Sequence, residues 1–121
     1  MLLWPRSVDA ADLPSGDVLY RRYCASCHGL QGRGDGPAAG ALFPRPADLT
    51  RSKSSEADLM REIDGRSTVR AHGTSSMPVW GEIFEREKER ADEPFKQQTP
   101  LLKCHILARY VRTLQQPPPD R

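Results

Sequence analysis

Residues 24–28 read CASCH and place two thiols and an imidazole within five residues. Three kinds of chemistry use such a group. Two cysteines one helical turn apart can bond covalently to two vinyl groups on one edge of a haem, and the next residue then brings an imidazole to the iron. Two thiolates can also bind zinc together with two further ligands. A Cys-X-X-Cys pair can, thirdly, exchange a disulfide.

The surrounding sequence favours haem, although the other two chemistries stay open at this point. Zinc would need two further ligands from His72, Cys104 or His105. A redox dithiol normally follows a strand and opens a helix, whereas these cysteines close a predicted helix. The chain has 121 residues and is only 37% hydrophobic, with 11 prolines. A bound haem would supply core that the side chains do not, so we expect one covalently attached haem.

A haem iron with one histidine needs a second axial ligand, and four side chains are candidates. Met77 lies in a non-helical stretch and is followed by Pro78, which holds its backbone extended. Met60 fits the apolar face of a helix, and His105 stands beside a lysine at the start of the last helix. The sequence therefore predicts Met77 as the ligand, with His72 as the alternative.

Hydrophobic periodicity predicts about four helices that would position these groups. The first spans about residues 16–27, so that CASCH closes it. Residues 29–50 are rich in glycine and proline and show no periodicity, which indicates a long loop. The second helix follows Ser55, whose hydroxyl can accept a hydrogen bond from the amide of Asp58, and Gly65 ends it.

The third predicted helix covers about residues 80–91, and its charged part, EREKER at residues 85–90, is predicted to lie in solvent. The fourth begins at Thr99 and Pro100, a capping residue followed by a first-turn proline, and ends before the proline-rich terminus. The predicted buried stripe of this last helix comprises Cys104, Leu107, Val111 and Leu114.

These elements indicate an all-α protein with long loops wrapped around one haem. We expect residues 13–116 to form a single domain, because one hydrophobic core suits a chain of this length. Residues 1–12 are interpreted as an N-terminal extension or the remnant of a signal, and residues 117–121 as a flexible proline-rich tail.

The charge pattern excludes some partners. The net charge is +2, from 18 basic and 16 acidic residues that are interspersed. No basic stripe with interleaved aromatic residues is present, so we expect no nucleic-acid partner. No apolar run approaches the roughly 18 residues of a membrane span, so we expect no transmembrane segment in this chain.

In these motifs the sequence resembles the class I cytochromes c, and in particular small bacterial, periplasmic, single-haem members. The resemblance covers nearly all of residues 13–115. It implies thioether bonds to haem c at Cys24 and Cys27, a proximal ligand at His28 and a distal ligand at Met77. It also implies that the carbonyl of Pro37 accepts the hydrogen bond from the Nδ1–H of the proximal histidine.

Further matches concern the helices. The resemblance implies that Gly16 and Tyr20 on the first helix pack against Leu107 and Tyr110 on the last, since a glycine lets two helices cross closely. Two departures are evident: residues 85–98 are longer than in compact members, and Cys104 is extra. We interpret Cys104 as an inert buried thiol, with a disulfide-linked dimer as the alternative.

The resemblance implies a periplasmic one-electron carrier, not an enzyme, since the family's haem is attached outside the cytoplasm. Trp80 is predicted to pack beside the haem, with its indole N–H available for a hydrogen bond, and the alternative is an exposed aromatic residue at a docking surface. We expect a monomer that docks transiently on periplasmic or membrane redox proteins, with Arg21, Arg22 and Arg33 at the rim of an uncharged contact surface.

Two rival functions share the same haem. In a small-ligand sensor or binding protein, the distal Met77 would be displaced by the ligand. In a peroxidase-like enzyme, the iron would be open and acid-base residues would stand beside it. Only His72 is close in sequence to the distal position, and Ser75 and Ser76 are poor substitutes.

Overall fold

A computed structural model of the chain describes residues 15–67, 77–90, 92–95 and 98–117. Residues 1–12, most of the proline-rich tail and His72 therefore lie outside the described residues. The described ranges contain helices and no strand, which confirms the predicted all-α class. These ranges hold five α-helices: α1 Gly16–Tyr23, α2 Ala25–His28, α3 Glu56–Asp64, α4 Trp80–Glu87 and α5 Pro100–Leu114.

The predicted first helix is divided at Cys24, which ends α1 and precedes α2. The division is slight. The backbone N–H of Cys24 donates to the Tyr20 carbonyl at 2.8 Å, and the N–H of His28 donates to the Cys24 carbonyl at 2.9 Å. CASCH thus closes one nearly continuous helical segment, as predicted.

The predicted helix ends are confirmed by their hydrogen bonds. The hydroxyl of Ser55 accepts from the N–H of Asp58 at 3.1 Å, and Gly65 ends α3 in the left-handed region at φ 72°. The hydroxyl of Thr99 accepts from the N–H of Leu102 at 3.1 Å at the start of α5. These contacts satisfy amide groups that have no partner within the helix.

Helix α5 lies at the centre of the core and packs against α1, α3 and α4. The stripe predicted for this helix is buried at Cys104, Leu107 and Val111, while Leu114 is partly buried. Helix α3 adds Leu59 and Ile63 to the same core. None of the helices in the described ranges has the length and apolar character that crossing a membrane requires.

The prediction that residues 85–90 lie in solvent was wrong at Glu87. Helix α4 ends there, and the side chain is buried. Trp80, Phe84 and Glu87 are spaced by four and then three residues, so they share the face of α4 that points into the protein. The remaining charged residues of EREKER are exposed, as predicted.

The loop after α2 folds back onto the CASCH segment. The N–H of Gly34 donates to the His28 carbonyl at 2.8 Å, and the N–H of Gly36 donates to the Cys27 carbonyl at 3.0 Å. A Cβ atom at Gly36 would lie 2.6 Å from the carbonyl oxygen of Ala25, so only glycine permits this approach. The following segment, residues 42–47, is thereby placed beside His28.

Candidate cofactor site

A cavity of about 380 Å³ lies among α2, residues 42–47 and the start of α4. Cys24, Cys27, His28, Met77 and Trp80, all predicted as site residues, line this one cavity. Its volume is in the range of small-molecule and cofactor pockets. The further lining residues are Arg22, Tyr23, Ser26, Leu42, Pro44, Arg45, Pro46, Ala47 and Pro78.

His28 is held by a backbone carbonyl. Its Nδ1 lies 3.0 Å from the carbonyl oxygen of Ala47. Because a carbonyl oxygen can only accept, Nδ1 carries the proton and donates, which leaves the lone pair on Nε2. An imidazole in this state is ready to bind a metal through Nε2, and the hydrogen bond fixes the orientation of the ring.

The acceptor differs from the one that the resemblance implied. Pro37 was expected to supply this carbonyl, but here Ala47 does. Pro37 is exposed and lines a neighbouring hollow with Arg21 and Asp35. The reason is the fold of the loop, which brings residues 46–47 against Gly34 and so places the Ala47 carbonyl beside the imidazole.

Cys24, the first cysteine of CASCH, lacks the character of a redox-active thiol. Cys24 is buried, and burial raises the pKa of its thiol to about 12. Cys27 is half-buried, and both are free of disulfides. Disulfide exchange needs a thiolate, which a low pKa provides. The dithiol alternative is therefore disfavoured.

The zinc alternative also lacks support within the part of the chain that the structure describes. No group of three or more His, Cys, Asp or Glu side chains is placed there to hold a metal ion. Cys104 belongs to the core, and His105 pairs with Glu56, with Nδ1 and Oε1 2.8 Å apart, outside the cavity. His72 lies outside the described residues.

The two methionines that are candidate ligands occupy different places. Met77 is half-buried and lines the cavity. Met60 lies on α3 and packs against the hydrophobic core, and it is not among the residues that line the cavity. This is the arrangement in which Met77 can act as a ligand and Met60 as a packing residue.

Trp80 forms one wall of the cavity together with Tyr23. The two rings meet edge to face with centroids 5.2 Å apart, and Trp80 also stacks on Phe84 at 5.7 Å. Such aromatic contacts stabilise the wall beyond simple burial. The side chain is half-buried and so is held by the protein rather than projecting from it.

The basic residues at the cavity differ from those expected. Of the three predicted rim arginines, Arg22 lines the cavity and pairs with Glu93 at 2.6 Å, while Arg33 and Arg21 line other hollows. Arg45 lines the cavity but was not predicted. The prolines on either side, Pro44 and Pro46, were the sequence feature that could have indicated its role, since this segment packs beside CASCH.

The donor set of the cavity fits a haem. Two thiols at helical spacing, an imidazole with an available Nε2 and a thioether border one mainly apolar space. These are the groups that attach and ligate haem in c-type proteins. The fold and the site together define a c-type cytochrome.

Comparison with known proteins agrees with this class. Residues 11–91 match the family model described as cytochrome c oxidase, cbb3-type, subunit III. That match covers more than half of the chain, so the protein belongs to this family of c-type cytochromes. Its cofactor is covalently bound haem c.

Two individual proteins are also similar. Cytochrome c-554(547) of Halothiobacillus neapolitanus is 43% identical over 44 residues, which are 36% of this chain and 43% of that protein. A chain of the reducing HAO-like protein complex of Kuenenia stuttgartiensis is 28% identical with a TM-score of 0.43, over 74% of this chain and 40% of that one. The chain thus spans less than half the length of either relative.

Proposed function

We propose that this protein is a single-haem, one-electron carrier of the bacterial periplasm. Cys24 and Cys27 hold the haem through thioether bonds, and His28 and Met77 are the two axial ligands of its iron. The observation that supports this proposal is that all four side chains line one cavity. The cavity lies between parts of the chain that are distant in sequence.

A haem with histidine and methionine ligands supplies a one-electron change of charge and no position for a substrate. The protein's part is to keep the ligands in place. The Ala47 carbonyl accepts the hydrogen bond from Nδ1 of His28, which keeps the proton on Nδ1 and makes Nε2 a stronger electron-pair donor to the iron. Pro78 follows Met77 and restricts its backbone to extended conformations, which limits how far the thioether can move away.

Apolar and aromatic side chains form much of the wall of the cavity and would surround a bound haem. Tyr23 and Trp80 close one side with their rings, and Leu42, Pro44 and Pro46 border another. An apolar surround disfavours the extra positive charge of ferric iron, and a methionine ligand acts in the same direction. We therefore expect a higher reduction potential than that of a bis-histidine haem.

The exposed surface at the cavity suits brief contact with another redox protein. Arg45 is exposed, and so is Phe43, two residues before it in the sequence. Such a surface favours an acidic partner and a weak, short-lived complex. The proposed periplasmic location rests on the family's haem attachment, which takes place outside the cytoplasm. The proposed partner is another redox protein of the periplasm or the membrane.

The experiment that tests this function is a cyanide titration of the purified ferric holoprotein. A carrier whose iron has two protein ligands resists cyanide, so we expect slow and weak binding to the unsubstituted protein. Met77→Ala opens the iron and should bind cyanide rapidly. Met60→Leu is the matched control, because it removes a methionine from the core and should leave the resistance unchanged.

Rapid cyanide binding by the unsubstituted protein would contradict the carrier function. It would favour instead a ligand-binding haem protein whose distal methionine leaves readily. If Met60→Leu rather than Met77→Ala opened the iron, the assignment of the distal ligand would be wrong.

A further inference from the structure

A buried ion pair lies directly behind the wall of the cofactor cavity. Nζ of Lys103, on α5, is 2.8 Å from Oε2 of Glu87, at the end of α4. The Lys103 side chain is 0% exposed and Glu87 as a whole is 8% exposed. Full burial of a lysine is unusual, because removing its charge from water is costly.

Tyr23 connects this pair to the cavity. Its hydroxyl donates to the same Oε2 of Glu87 at 2.7 Å, and Nζ of Lys103 lies 3.4 Å from the hydroxyl oxygen. The ring of Tyr23 lines the cavity and meets Trp80 edge to face. The two charges are therefore separated from the cavity by the length of one tyrosine side chain.

Aromatic rings enclose the ammonium group. Its nitrogen lies 5.0 Å from the centre of the Phe84 ring and 5.6 Å from that of Tyr23. A charge in such surroundings is weakly screened, so it acts on other charges over a longer distance than a surface charge does. The neighbouring pair of Arg22 and Glu93 is more open, since the Arg22 side chain is 36% exposed.

Stability alone does not explain why the chain has this pair. Replacing a buried ion pair by apolar residues of similar volume is often neutral or stabilising. A gain in stability is therefore not a sufficient reason for the pair.

We propose that the two buried charges of Glu87 and Lys103 act on the reduction potential of the haem in opposite directions and balance each other. This inference rests on the proposed function, since it concerns the same cavity. The carboxylate stabilises the more positive ferric iron and the ammonium stabilises the ferrous iron. Because the two charges lie side by side, their effects nearly cancel, and removing either charge alone shifts the potential.

The test is redox titration of holoprotein variants on an electrode. Glu87→Gln keeps the shape and the hydrogen-bond acceptor but removes the negative charge, so the potential should rise. Lys103→Met removes the positive charge, so the potential should fall. The double variant should lie close to the unsubstituted protein. The unsubstituted protein and all variants are measured at the same pH and salt concentration.

A matched control is available on the same helix. Glu85 and Lys88 also form an ion pair, at 3.4 Å, but their side chains are 48% and 41% exposed. Glu85→Gln and Lys88→Met should leave the potential unchanged, because water and salt screen these charges. This control separates an effect of burial from an effect of net charge.

Shifts of opposite sign in the two buried variants would support the inference. Equal potentials in all variants would overturn it. Shifts of the same sign would also overturn it, because they would show that each substitution had only loosened the packing and admitted water. If Lys103→Met yields no folded protein, Glu87→Gln and the double variant still decide the question. An unsubstituted protein without covalent haem would instead defeat the proposed function, which is checked first by its spectrum.

Discussion

Gly16 and Tyr110 are in direct contact where α1 crosses α5. A Cβ atom at Gly16 would lie 2.8 Å from the Cβ of Tyr110 and 3.4 Å from the carbonyl oxygen of Ile106. One turn further along, the rings of Tyr20 and Tyr110 meet with centroids 5.0 Å apart. The close crossing of the first and last helices, predicted from the resemblance to cytochromes c, is therefore present.

Gly16→Ala should destabilise the holoprotein by about 1–3 kcal/mol, the cost of forcing one extra methyl into a packed interface. The free energy of unfolding is measured by denaturant titration. Gly40→Ala is the control, because nothing lies within 4 Å of a Cβ at that position. The control should be neutral or slightly stabilising. Equal losses in both variants would contradict the account of the helix crossing.

Cys104 should be unreactive in the folded protein. It is 1% exposed, and burial raises the pKa of its thiol to about 12. Since the thiolate is the reactive form, the thiol stays protonated and protected near pH 8. We expect iodoacetamide to modify it only after unfolding, as measured by mass. Rapid labelling of the native protein, or a disulfide-linked dimer on a non-reducing gel, would favour the alternative of an exposed, pairing cysteine.

Local patterns in the sequence predicted the elements that depend on near neighbours. The cap at Ser55, the terminating Gly65 and the start of α5 at Thr99 are decided within three or four residues. CASCH at residues 24–28 and the adjacent Met77 and Pro78 were also recognised from short stretches of sequence. Their meeting in one cavity needed the resemblance, because it depends on the path of the whole chain.

Contacts between distant residues were missed. Lys103 and Glu87 are buried together with Tyr23, which is 64 residues from Glu87 and 80 from Lys103. Both residues lie on helix faces that pack into the protein, but charged side chains are normally expected in solvent. Both can be buried here because the two charges pair with each other. The acceptor for His28 was wrongly predicted as Pro37 instead of Ala47 for the same reason, since the fold of the loop decides which carbonyl lies beside the imidazole.

Arg45 should influence association with an acidic redox partner more than Arg33 does. Both are exposed, but only Arg45 lines the cofactor cavity. Rim charges act mainly on the association rate, within a screening length of about 8 Å at 0.15 M salt. Arg45→Gln should slow reduction by such a partner at low salt and weaken its salt dependence. Arg33→Gln should change neither, and the reverse order in stopped-flow rates would place the docking surface elsewhere.

The central claim is that Cys24 and Cys27 attach one haem within the cavity that His28 and Met77 share. The most direct test is the mass of the protein after expression with haem-attachment machinery, followed by acid and organic solvent. We predict the mass of the polypeptide plus one haem, retained on the peptide that contains both cysteines and absent from a Cys24→Ala/Cys27→Ala variant. The bare polypeptide mass, or haem on a peptide without these cysteines, would contradict the account.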